Sequence, residues 1–323
     1  MHIVVLAGGI GGARFLRGVR AHAQTIGAEV TAVVNVGDDL SLHGLRICPD
    51  LDSVMYGLGG GADPERGWGR ADETWTVKAE LDAYGVQPNW FGLGDRDLAT
   101  HLVRTTMLTA GYPLSAVTEA LCDRWRPGIR ILPATDDRLE THVVVDGEEA
   151  PGEAIHFQEW WIRHRATLPA RRFVYLGAES ATPAPGVMEA VQTADAILLA
   201  PSNPVVSIAP ILAVPGLRQA LVEAKAPIVG LSPIIGGAPV RGMADACLAA
   251  IGVECSAAGV GRLYGARRPG SGQSEPGLLD GWLVDESDRG TEVPGVTVRA
   301  VPLWMTDDEA TAAMVAAALE VAA

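Results

Sequence analysis

Basic residues are scarce in this sequence: 25 Lys and Arg stand against 39 Asp and Glu, a formal charge of −14 at pH 7. Such a surface repels a phosphate backbone, which excludes general nucleic-acid or anionic-membrane binding and leaves any bound phosphate to be met locally. No uninterrupted apolar run approaches the roughly 18 residues of a membrane span. Cysteine is rare and scattered. Cys48, Cys122, Cys247 and Cys255 show no CxxC spacing, which argues against a disulfide framework or a zinc site and for free thiols in a reducing compartment. The N-terminal apolar run meets its glycines without a basic n-region or a small-residue cleavage site, so it does not read as a signal peptide, and a cytoplasmic location is expected. No internal repeat is found.

What is present is apolar material, 48% of 323 residues with 20% charged, enough for a sizeable core and too much for a disordered chain. His2–Ala7 is a β-branched run stopped by glycines. Ala13–Ala23 follows with Phe15, Leu16 and Val19 at helical spacing, and Val30–Val34 is a second buried-strand run ending at the polar Asn35-Val36-Gly37-Asp38-Asp39. The chain therefore opens as βαβ. From residue 49 to about 128 strand-like runs nearly vanish, and helices are expected at 49–55, 76–84, 97–110 and 114–125, an insertion within one α/β domain spanning 1–323. The parallel sheet resumes at 130–132, 173–176, 196–199 and 227–231, alternating with helices at 186–193, 216–224 and 243–250. Thr141–Val145 with Gly147-Glu148 suggests an edge hairpin, residues 265–276 a linker, and 306–321 a closing helix capped by Thr306. The expected fold is a Rossmann-like open parallel sheet with helices on both faces and a mainly helical insertion.

Four constellations could carry chemistry. Gly8-Gly9-Ile10-Gly11-Gly12 sits between strand and helix, where bare N–H groups and a helix N-terminus can cradle phosphate, with Arg14 one turn further on. It fails as a dinucleotide fingerprint, because G-x-G-x-x-G read from Gly9 puts Arg14 at the third glycine, and it lacks a P-loop lysine. Asp38 and Asp39 end one strand loop and Asp50 and Asp52 lie in the next, so aspartates from two loops could converge on a divalent cation outside the carboxyl ends of the strands. Leu93-Gly94-Asp95-Arg96-Asp97 enters a helix that carries His101 and Arg104, and Ala200-Pro201-Ser202-Asn203-Pro204, with Ser207 beyond it, follows a buried strand. A similar loop spans Ser232–Pro239. Tryptophan is over-used, eight against four Phe and five Tyr, and Trp68, Trp75, Trp90, Trp125, Trp160 and Trp161 could stack on a planar heterocycle. Each feature also has a purely structural explanation in turns, caps or core packing.

Over nearly the whole chain the sequence resembles the 2-phospho-L-lactate transferase family of coenzyme F-420 biosynthesis in its actinobacterial form. The resemblance lies in AGGIGGARFL, VVNVGDD, ICPDLDSVMY, FGLGDRDLATHLVR, ILPATDD, HFQEWWIRHR, APSNPVVSIAPIL and LSPIIGGAPV, in that order. It implies a Mg²⁺-dependent transfer of a phospholactyl or phosphoenolpyruvyl group from a guanosine-diphosphate carrier to the ribityl hydroxyl of the deazaflavin Fo, with GMP released, by a homodimer. On that reading Asp38 and Asp50 would hold the metal, and Asp38, Asp50 and Arg96 would be catalytic. Asp52, Gly94, Asp95 and His101 would serve the deazaflavin side. Gly8, Gly9, Gly11, Gly12, Arg14, Asn35, Ser202, Asn203 and Pro204 would complete the substrate contacts, with the glycines and Ser202-Asn203-Pro204 on the guanylate side. An NAD-dependent Rossmann dehydrogenase and a non-catalytic nucleotide-sensing module remain alternatives at this point.

Overall fold

Continuous apolar runs become strands buried on both faces, and here they build the centre of one sheet. The structure, a computed structural model, describes residues 1–146, 151–268 and 276–322. The strands are β1 (His2–Ala7), β2 (Glu29–Val34), β3 (Arg130–Pro133), β4 (Ala196–Leu199), β5 (Ile228–Leu231), β6 (Gly281–Val284) and β7 (Thr297–Ala300). They lie in the order β7-β6-β5-β4-β1-β2-β3, every neighbouring pair parallel. The order reverses at β1, which pairs with β2 on one side and β4 on the other. That switch point opens a crevice above the carboxyl ends of β1 and β4.

Helix α1 (Gly9–Ile26) starts within the glycine run, so that run is a single tight turn at Gly8 and Gly9 followed directly by helix. Against the sheet, α1 packs its Phe15, Leu16 and Val19, each fully buried. The helix Asp308–Ala322 crosses α1 closely at Gly18, where an added Cβ would fall 2.4 Å from Thr311 Cγ2. That closing helix is capped by Asp307, whose Oδ1 accepts from the Ala310 N–H at 2.7 Å, in place of the expected Thr306.

After β2 the chain makes a small hairpin, Leu40–Leu42 with Leu45–Ile47, turned by His43 and Gly44 at φ of 50° and 78°. Helices α2 (Pro49–Leu58), α3 (Thr76–Ala83), α4 (Asp95–Thr109) and α5 (Leu114–Trp125) follow before β3.

The sheet departs from expectation in two places. Residues 173–176 do not join it. Strand Ala170–Leu176 pairs antiparallel with Glu140–Asp146, whose other side pairs with Pro151–His156 in a separate three-stranded sheet. Its mix of exposed and half-buried positions is that of a strand with one wet face, whereas the interior strands of the parallel sheet are buried throughout. The missing places are taken by β6 and β7, short segments whose flanking glycine and polar residues hide them in the sequence. The expected turn at Gly147-Glu148 and residues 269–275 of the expected linker lie outside the described residues. Among the described residues no single helix is long and apolar enough to cross a membrane.

Candidate functional site

The carboxyl ends of β1, β2 and β4 bring three sequence-distant loops to one cleft. Gly8, at the end of β1, has extended backbone that any residue could adopt, yet it has no room for a side chain. A Cβ there would lie 2.6 Å from Asp50 Oδ2 and 2.8 Å from Ser207 Cβ. Gly9 carries the positive φ, 66°, that turns the chain into α1. Ser202, after β4, ties the turn across the switch point by donating from Oγ to the Gly8 carbonyl at 2.7 Å and accepting from the Gly8 N–H at 3.2 Å. Gly12 leaves space for that hydroxyl, since its Cβ would fall 2.8 Å from Ser202 Oγ. The N-cap Gly8 offers no side chain and no acid stands in the first turn of α1; Asp50 accepts the Gly9 N–H from outside the helix, and Ile10 and Gly11 at this positive end line the cleft.

Asp38 and Asp50 meet beside this turn, both within 4% exposure. Asn35, fully buried at the end of β2, donates from one amide nitrogen to Asp38 Oδ1 at 3.0 Å, Asp50 Oδ2 at 2.9 Å and the Val206 carbonyl at 3.1 Å. Gln158 Nε2 donates to the other Asp38 oxygen at 2.8 Å, and the Gly9 N–H donates to Asp50. Among the described residues no cationic side chain pairs with either acid. Burial therefore pushes both carboxyls up, Asp50 to about 7 and Asp38 well above its ordinary value with repulsion from Asp50 adding to it. Two buried carboxylates with neutral donors alone are chemically suited to a divalent cation, which would supply the missing positive charge. The cleft has a volume of about 120 Å³ and runs from these acids past Ser202 and Asn203 to Arg14 and Arg241, with Phe157 and Trp161 as an aromatic wall.

Asn203 lines the cleft while capping the turn that follows it, and Asp39, Asp52, His101 and Gly94-Asp95-Arg96 lie elsewhere. Asp39 turns away and pairs with Arg46 Nη2 at 3.0 Å, its carboxyl raised to about 6 by burial. Asn203 accepts from the Val205 and Val206 N–H groups at 2.9 and 3.3 Å, capping the π-helical turn that starts at Pro204. Asp52 and His101 are not in the cleft. They sit between α2 and α4, where Arg104 donates to Asp52 and, at 3.1 Å, to His101 Nδ1. His101 Nε2 lies 3.3 Å from Asp97, whose Oδ1 accepts from the Tyr56 hydroxyl at 2.6 Å. Asp52, Asp97 and His101 are close enough to hold a cation. The arginine bond to Nδ1 nevertheless leaves the imidazole proton on Nε2, which therefore offers no lone pair to a metal.

Gly94-Asp95-Arg96 is a helix junction. Asp95 accepts from Thr74 Oγ1 and the Thr76 and Val77 N–H groups at 2.6, 2.9 and 3.0 Å, which holds its carboxyl down at about 2. Glu73 in turn accepts the Arg96 N–H at 2.5 Å, and Gly94 makes room for it. The Arg96 guanidinium is half exposed, 3.8 Å from Asp72, and does not line the cleft. Of the tryptophans, Trp161 lines the cleft, Trp160 is core, and Trp125 packs on Tyr56 beneath Arg70 and Arg124. Gln158, buried behind Asp38, and Arg241, which lines the cleft, stand outside the four constellations seen in the sequence. For Gln158 the available signal was an amide set among the aromatics of HFQEWW.

A larger hollow of about 660 Å³ lies at the opposite, amino-terminal edge of the sheet, between Arg20, Glu29, Arg130 and Glu189. Arg20 there is already spent on the Leu58 and Pro127 carbonyls, and ligands of open parallel sheets sit at the carboxyl edge, so size does not make this hollow the site.

The family described as 2-phospho-L-lactate transferase CofD matches residues 3–309. A protein of Nocardia farcinica named phosphoenolpyruvate transferase is 62% identical over 322 residues, covering 99% of this chain and 94% of that protein. One of the same name from Thermobifida fusca is 62% identical over 328 residues, covering 100% and 98%. A crystal structure of a UPF0052 family member from Bacillus halodurans shares the fold, with a TM-score of 0.61 at 18% identity over 98% of this chain and 99% of that one.

Proposed function

The chain belongs to the 2-phospho-L-lactate transferase CofD family, and on that premise we propose that it moves a phosphoenolpyruvyl group from a guanosine-diphosphate carrier to the ribityl hydroxyl of the deazaflavin Fo. The choice of phosphoenolpyruvyl over phospholactyl follows the names of the relatives. The observation that carries the reading is the meeting of Asp38 and Asp50 beside the glycine-rich start of α1, an acid pair and an anion cradle in one cleft. In the transfer a bond forms from the ribityl oxygen to phosphorus. The bridging P–O bond breaks with its electron pair going to GMP, and the hydroxyl proton is released.

Asp38 and Asp50 would hold Mg²⁺, held in place themselves by Asn35 and Gln158. A bound Mg²⁺ supplies charge neutralisation at the phosphates. The first-turn N–H groups of α1 orient the diphosphate, the Ser202 bridge keeps that turn rigid, and the wall of Phe157 and Trp161 excludes water and offers a flat surface to a ring. Most of the acceleration then comes from positioning and electrostatics, as is general for phosphoryl-type transfer. A cytoplasmic homodimer belongs to the same reading.

The test is direct. Purified protein is incubated with Fo, Mg²⁺ and either the phosphoenolpyruvyl or the phospholactyl carrier, and products are weighed. One GMP per phosphodiester of Fo is expected, faster with the phosphoenolpyruvyl carrier. No GMP from either carrier overturns the transfer, and faster use of the phospholactyl carrier overturns the choice of donor.

A further inference from the structure

Two arginines converge on the cleft without an acid to meet them. Arg14 projects from the second turn of α1, and Arg241 comes from the loop after the short hairpin Ile234–Ile235 with Ala238–Pro239, on the other side of the cleft. Arg17, Arg46, Arg104 and Arg267 each pair with a carboxylate. Among the described residues none does so with Arg14 or Arg241. The two are near enough that partial burial and the charge of Arg14 together hold Arg241 below its ordinary value. In a chain of net charge −14, two unpaired guanidinium groups facing one hollow are an unspent attraction for an anion.

Arg241 is also held in place. Its Nη2 donates to the Arg66 carbonyl at 2.5 Å, and its Nη1 lies against Gly67, where a Cβ would fall 2.7 Å away. Gly67 has a φ of 72° and no side chain, so the insertion can lay its backbone on the guanidinium. A planar fork can spend one nitrogen on a carbonyl and still present others to an oxyanion, which an ammonium does with less directional control.

We propose that Arg241 is an anion-binding residue of this cleft, closing on the donor's diphosphate together with Arg14 from the side opposite Asp38 and Asp50. The assignment rests on the donor being a guanosine-diphosphate ester. Its two phosphates each carry a charge, and two arginines match them while the acid pair takes the cation. Through the Arg66 carbonyl the same guanidinium joins the insertion to the bound diphosphate.

Calorimetric titration of the full chain with guanosine diphosphate, and separately with uncharged guanosine, tests this. Wild type should bind the diphosphate more tightly than guanosine. Arg241→Gln and Arg14→Gln should each weaken diphosphate binding at least about tenfold while leaving guanosine binding and Tm unchanged, and Arg241→Lys should recover part of the loss. Unchanged diphosphate affinity in Arg241→Gln, with wild type still preferring the diphosphate, overturns the role of Arg241 alone. A wild type that binds guanosine and its diphosphate equally overturns both this inference and the donor on which it rests. Equal losses for guanosine and diphosphate would make Arg241 a residue of cleft shape only, which also overturns it.

Discussion

Asp38 and Asp50 come from different elements and share one donor, the side-chain nitrogen of Asn35, at 3.0 and 2.9 Å. An amide offers two hydrogens, and this one faces three acceptors, because the Val206 carbonyl is also within reach. The pair is thus under-neutralised by construction, and its metal-free form is where the strain of like charge should be visible.

Replacing either acid by its amide should separate activity from stability. Asp38→Asn and Asp50→Asn are expected to remove nearly all turnover, while Tm measured in a chelator holds or rises, because each substitution removes a buried repulsion. If both variants kept more than about half of wild-type turnover at saturating Mg²⁺, the pair would not be the metal site.

The pH dependence has a definite sign. Asp50 lies at about 7 in the folded chain against an ordinary value of 3.8, so between those values the folded state holds a proton that the unfolded state has lost. Its contribution is present below the ordinary value and lost as pH rises through the folded one. In a chelator, the wild-type Tm should therefore fall between pH 5 and pH 8 by several degrees more than that of Asp50→Asn, of the order that ~1–2 kcal/mol produces. Added Mg²⁺ should flatten the wild-type curve. Parallel curves for the two proteins would show that Asp50 is not the titrating group.

Neighbouring glycines should respond differently to the same methyl group. In Gly8→Ala the new Cβ meets Asp50 and Ser207 at under 3 Å, so both turnover and Tm should drop sharply. In Gly9→Ala the nearest atom is Ser207 Oγ at 3.8 Å, and only the positive φ is penalised, roughly 1 kcal/mol. Matching melting losses in the two variants would contradict the crowding assigned to Gly8.

Arg96 and Arg104 lie on the same helix and should behave as opposites. Arg104 is 1% exposed and ties Asp52 to His101, so Arg104→Met should cost about 3–5 kcal/mol by leaving a buried carboxylate unpaired. Arg96 is a surface group beside Asp72, and Arg96→Lys should leave Tm and turnover near wild type. A tenfold loss of kcat/KM in Arg96→Lys at unchanged Tm would restore the catalytic role that its motif suggested.

The opening βαβ, the glycine turn and the acidic loops were legible because each is written in contiguous residues. Strands β6 and β7 were not, being four residues each and defined by their neighbours across the sheet. Asp50 and Asp52 show what spacing holds and what it hides. Two positions on a helix lie about 200° apart, so the pattern already sent one toward the cleft and the other toward α4, and it could not say which partner waited there. For Asp52 that partner is Arg104, fifty-two residues away, and the pair removes from solvent an acid expected to meet substrate. Arg241 was invisible for a related reason. A single arginine in a loop gains meaning only when Arg14 and the Arg66 carbonyl are placed beside it.

The hydroxyl of Ser202 closes on Gly8 across 194 residues, which sets when this protein can become competent during its own synthesis. A nascent chain that has emerged through the insertion already carries its glycine turn and both acids, but β1 still lacks β4 on one edge, and half of the cleft wall has not been made. Until then β1 presents an open, apolar strand edge with nothing to cover it. Such late pairing is slow and exposed to misassembly, so the stage before residue 196 is when the nascent chain would most need protection from its neighbours.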